Sequence, residues 1–78
     1  MDKMDLTQIK KGESVKVVEI NGGQKFMEKV DAIGLRVGSR IIKLSTQVLK
    51  GPVTIKMGNT KLALGHGMAK KIFVDGKN

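Results

Sequence analysis

The chain has 78 residues, with 15 Lys and Arg against 7 Asp and Glu, one His, and no Cys, Trp or Tyr. That bounds it to one small domain, expected to span residues 1–78 with its core between about 6 and 74. The absence of cysteine excludes both a disulfide framework and a thiolate metal centre, so aliphatic side chains must build the core.

No apolar run exceeds three residues, as in Leu62-Ala63-Leu64 and Ile72-Phe73-Val74, far short of the ~20 that cross a bilayer. Met1 to Asp5 is acidic and lacks the apolar stretch of a secretory signal. A cytoplasmic location is expected.

In chain order, Leu6 to Gly12 places Leu6 and Ile9 three apart before a glycine, which predicts a lead-in turn folding its apolar side onto the core. Ser14 to Ile20 is rich in β-branched residues, with Val15 and Val17 on one face, and predicts the first strand. From Gln24 to Ile33 the period changes. Phe26, Met27, Val30 and Ile33 predict an amphipathic helix that ends on a left-handed Gly34, with Leu35 folding back on the last turn.

Leu35 to Gly38 reads as a second tight turn, and from Ser39 a strand returns with Ile41, Ile42 and Leu44 apolar. A surface loop over Ser45 to Lys50 precedes Gly51-Pro52. Val53 to Met57 alternates strictly, and Gly58-Asn59 joins it to Thr60 to Leu64 as a β-hairpin with a two-residue loop. Gly65 to Ala69 is a compact connection, and Lys70 to Val74 the closing strand. Five short strands and one helix are best buried by closing into a small SH3-like or OB-like barrel.

The basic residues are scattered, in runs no longer than two, and a solvated polar face is the simpler reading of them. No catalytic grouping emerges. The chain has one His and no Cys, Ser14, Ser39 and Ser45 sit in ordinary strand or loop settings, and Glu19, Glu28 and Asp31 read as surface charge. One His cannot make a tetrahedral metal centre, and His66 between two glycines reads as an exposed turn residue. Gly65-His66-Gly67-Met68-Ala69-Lys70 begins like a phosphate-binding glycine loop, but Lys70 stands where its third glycine belongs. Phe26 and Phe73 lie in apolar patterns and are read as core, which leaves no aromatic platform for single-stranded nucleic acid. Lys11 to Val17 is faintly similar to the basic glycine-containing strand of KOW-type modules, which keeps an RNA-binding alternative open.

Taken together, Leu6, Ile9, Gly12, Val15 to Ile20, Gly22-Gly23, Ile33-Gly34-Leu35, Val37-Gly38, Gly51-Pro52-Val53, Gly58, Leu62-Ala63-Leu64, Ala69 and Ile72 to Val74 stand in an order that resembles the FeoA family and the related C-terminal domain of DtxR-type metal regulators. The resemblance runs from Leu6 to Val74, with Val37 where relatives commonly carry proline. It implies a five-stranded SH3-like barrel with an inserted helix. It further implies a non-enzymatic, cytosolic accessory role in bacterial ferrous iron uptake, with the cytoplasmic, GTPase-containing side of the membrane transporter FeoB as partner. No cofactor or metal site is expected in the chain itself, and iron is linked to function through the transporter. Barrel loops offer a partner groove, which makes Arg36, Arg40, Lys50, His66, Met68 and Lys70 the candidate partner-binding residues. In a stronger form, Arg36 or Arg40 completes the GTPase site in trans. A metal-regulator relative sensing iron is a third reading. Exposed barrel edges leave the pairing of two copies open.

Overall fold

The computed structural model describes residues 3–45 and 51–75. Six strands, β1 (Lys3–Asp5), β2 (Ser14–Ile20), β3 (Arg40–Lys43), β4 (Val53–Met57), β5 (Thr60–Leu64) and β6 (Ile72–Asp75), are joined by helices α1 (Gln24–Ala32) and α2 (His66–Ala69). The strands form one sheet in the order β1-β6-β2-β3-β4-β5, every neighbouring pair antiparallel. The five expected strands and the helix are present. Two short elements are added to them.

β1 occupies the free side of β6, with Met4 opposite Val74; three residues carry too little pattern to announce a strand. α2 replaces the expected connection by a single helical turn, closed by the Ala69 amide donating to the Gly65 carbonyl at 2.9 Å.

Alternation in the strands supplies the core. Val15, Val17, Ile41, Val53, Ile55, Leu64, Ile72 and Val74 are buried, and Leu6 and Ile9 from the lead-in and Val30 and Leu35 from the helix and its exit complete the same cluster. The lead-in folds as its spacing predicts. Asp5 starts it by accepting from the Thr7 amide at 2.8 Å, while its carbonyl accepts from the Gln8 amide at 3.0 Å. The Leu6 amide donates to the carbonyls of Ala69 and Ile72, both at 3.2 Å, and so joins the lead-in to α2 and β6.

The exit of α1 is a Schellman motif. Gly34 takes φ +87°, its amide reaches the Asp31 carbonyl at 2.9 Å, and the Leu35 amide reaches the Val30 carbonyl at 3.1 Å while the Leu35 side chain is buried. The apolar face of α1 is narrower than expected: Val30 is buried and Phe26 and Ile33 are half-buried, but Met27, about 100° round the helix from Phe26, lies exposed. The β4–β5 hairpin closes through two residues, with Met57 opposite Thr60 and Gly58 at φ +62°.

Two further expectations are corrected. Phe73 alternates with buried Ile72 and Val74, so it faces outward, half-exposed, with the Lys3 ammonium 5.4 Å from its ring centre. Lys43, expected on the polar face, is buried instead. Ile41 fixes the parity of β3, and two residues on, the strand turns Lys43 inward.

Candidate interaction surface

The candidate residues fall into two groups. Arg36 and Arg40 flank the turn that leaves α1. The Arg36 amide donates to Ser39 Oγ at 3.0 Å, the Gly38 amide to the Val17 carbonyl at 2.7 Å, and the Val17 amide to the Ser39 carbonyl at 2.9 Å, which pins the turn along β2. At its apex Val37 is 61% exposed. The Arg36 Nε lies 3.3 Å from Asp31 Oδ1 in a solvent-exposed ion pair, a contact that holds the guanidinium over the helix end but is worth little in water. Arg40 opens β3 opposite Lys16.

The second group sits on α2. Ala69 is buried and anchors the turn; Met68 packs partly against the core, His66 is half-buried and Lys70 is exposed. The neighbouring Lys71 places its ammonium 4.9 Å from the Phe26 ring centre, and its carbonyl accepts from the Asn21 amide. α2 therefore lies at the Ile20 end of β2, whereas Arg40 lies opposite Lys16, roughly 13 Å back along that strand. The two groups do not form one cluster, and Lys50 lies outside the described residues.

Two lysines near the lead-in are committed to structure. Lys3 pairs with Glu19, and its hydrogen bond is the main influence holding that carboxylate below the usual glutamate range. Lys43 Nζ donates to the Ile9 carbonyl at 2.8 Å, and burial lowers its pKa from the ordinary lysine value against the pull of Asp5 and Glu13. Among the described residues no three His, Cys, Asp or Glu side chains converge as metal ligands.

One feature was not found by reading the residues singly. On the outer face of the sheet, Lys16 stands opposite Arg40, Ile42 opposite both Ser14 and Lys56, and Lys56 opposite Lys61. Four cations thus surround or adjoin an isoleucine that is 38% exposed. The signal was partly present in the sequence, because a two-residue hairpin loop after Met57 forces Lys56 and Lys61 to face one another.

The FeoA domain family model matches residues 4–76. The chain belongs to the FeoA family. It is 35% identical over 66 residues to a protein of Methanocaldococcus jannaschii named for Fe(2+) transport, covering 85% of this chain and 78% of that one. A crystal structure titled iron uptake regulatory protein (FeoA) superposes with a TM-score of 0.83 at 29% identity, over 96% of this FeoA chain and 97% of the other. A manganese-dependent transcriptional repressor contains the same fold, with a TM-score of 0.87 at 20% identity; the match covers 96% of this chain and only 42% of the repressor. The SH3-like fold expected from the sequence is the one this family shares.

Proposed function

We propose that this FeoA chain is a non-enzymatic accessory protein of ferrous iron uptake, acting in the cytosol on the GTPase-containing cytoplasmic part of the FeoB transporter. The observation that carries this reading is the family match across residues 4–76, joined to a relative named for Fe(2+) transport. The chemistry stays in the partner. The chain contributes a docking surface on which Arg36 and Arg40 at one turn, and His66, Met68 and Lys70 at another, are the contacting residues, and Lys50 is a further candidate from the sequence.

In this reading Arg36 must leave Asp31 to reach a partner, a small cost for a pair whose side chains are 70% and 68% exposed. The test is an amide NMR titration with the soluble GTPase domain of the cognate transporter at low and high salt. Localised shifts around residues 36–40 and 66–70 that persist at high salt support the reading. Diffuse shifts that vanish with salt reduce it to attraction by a chain of net charge +8. GTP hydrolysis measured with R36A and R40A decides the stronger version, since a finger residue in trans is worth about 10³-fold or more.

A further inference from the structure

We propose that the outer face of strands β2 to β5 is a docking surface for an acidic polypeptide segment, one that sets carboxylates against Arg40, Lys56 and Lys61 and an apolar side chain against Ile42. The starting point is a pattern that works against folding. Residues directly opposite one another on neighbouring antiparallel strands hold their Cβ atoms about 5 Å apart, and like charges in that relation repel. The register nevertheless sets Lys56 against Lys61 and Lys16 against Arg40.

Carboxylates that could relieve this are engaged or placed elsewhere. Asp75 on β6 stands opposite Lys16 and Lys3. Glu19 pairs with Lys3, Asp31 with Arg36, Glu13 accepts from the Lys10 amide, and Asp5 closes its own turn. Among the described residues no ion pair forms at Arg40, Lys56 or Lys61. Three cations are therefore displayed together without an internal counter-charge.

Ile42 indicates what kind of acidic partner fits. It is 38% exposed at the middle of the face, flanked across the strands by Ser14 and Lys56, with Arg40 two residues along its own strand and Lys16 diagonal to it. A phosphate backbone would satisfy the cations and leave the isoleucine in water. Nor does this face carry an aromatic platform for bases, since Phe73 lies on β6 beneath Lys3. A polypeptide supplies both carboxylates and an apolar side chain. The row from β2 to β5 crosses three strand spacings, about 14 Å, which four or five extended residues span. The inference shares Arg40 with the proposed transporter surface but does not rest on that reading, because it names the partner by chemistry and centres on Lys56, Lys61 and Ile42.

The test uses the full chain and a synthetic peptide with three glutamates on either side of one leucine, followed by amide NMR. The expected result is localised shifts in β2 to β5. K56E/K61E should weaken binding about tenfold, whereas K11E/K25E, which lowers the net charge equally from exposed positions off this face, should leave most of the affinity. Replacing the peptide's leucine by serine should also weaken it. Equal losses from the two double variants would overturn the proposal by assigning the binding to total charge. Unchanged affinity of the serine peptide would remove the role given to Ile42 and overturn the choice of partner. Tighter binding of a thymidine oligonucleotide to the same face would replace the polypeptide by nucleic acid. K56Q/K61Q, with a native amide spectrum, guards against loss by misfolding, and its failure to weaken binding would also overturn the proposal.

Discussion

On β3, Ile42 stands 38% exposed while its neighbour Lys43 is 3% exposed, the reverse of what their hydropathies would arrange. The strand allows no other outcome once Ile41 is inside, because successive side chains take opposite faces. The inward lysine is accommodated by structure: its ammonium donates to the Ile9 carbonyl at 2.8 Å and fastens the lead-in to the sheet. The outward isoleucine has no such internal answer and lies among Lys16, Arg40 and Lys56. The inner face of the sheet thus specifies the fold even where it holds a charge, whereas the outer face of β3 to β5 carries Arg40, Ile42, Lys56 and Lys61, for which folding has no use.

If that division is right, substitutions should rank by face. The largest effect is expected from K43A, which removes a buried stem and the donor to the Ile9 carbonyl; denaturant unfolding should show a loss of about 2–4 kcal/mol. K43M keeps the stem and removes the buried charge at the expense of one unsatisfied carbonyl, so its loss should be clearly smaller. Equal losses would place the stabilisation in the hydrogen bond and not in the packing of the stem.

Next comes the backbone that seats the inner face. G34A should destabilise by about 1–2 kcal/mol, because alanine must hold φ +87°. Among the described residues the new methyl would meet only Met57 Cε at 3.7 Å, an ordinary contact, so strain and not collision is the cause. A loss below about 0.5 kcal/mol in the same unfolding experiment would mean that the Schellman exit reshapes freely.

Much of this inner scaffold was legible in the residues, and the outer site much less so. β-branched alternation placed β2 and β4, Gly58-Asn59 placed the hairpin, and Ile33-Gly34-Leu35 wrote the helix exit. What failed were short elements and parity. β1 has three residues, and its existence depends on the open side of β6, a tertiary fact. At Lys43 and Phe73 residue type and strand alternation conflict, and the structure obeys alternation. Met27 follows the helical spacing of Phe26, Val30 and Ile33, but it stands at the edge of that stripe, directly after Phe26, and lies exposed. The candidate residues named from the loops fall at two separate places, since loop proximity follows from the order β1-β6-β2-β3-β4-β5, which local pattern does not contain. Of the outer cations, only the Lys56–Lys61 pair was implicit, through hairpin geometry.

A smaller effect should follow from pH. Burial lowers the pKa of Lys43 in the folded chain, so between that value and the ordinary lysine value of ~10.4 the unfolded chain holds more protons. Stability contributed by this site must therefore rise with pH through that window and level off above it. Unfolding midpoints from neutral pH to pH ~10, compared between the native chain and K43M, isolate this contribution from the relief of general positive repulsion. A native curve rising no more steeply than that of K43M would show that the buried ammonium is not penalised.

The smallest change in stability, and the most discriminating, belongs to the outer face. K56E replaces a like-charge pair with Lys61 by an opposite-charge pair at directly facing positions, so the protein should gain about 0.2–1 kcal/mol at low salt and lose the gain as salt rises. The same substitution should weaken binding of the acidic peptide. Stability and binding then move in opposite directions at one residue, the behaviour expected where a position is kept for recognition at the expense of folding. A K56E protein that is less stable would assign Lys56 to the scaffold, and the distinction between the faces would fail at the position where it is drawn most sharply.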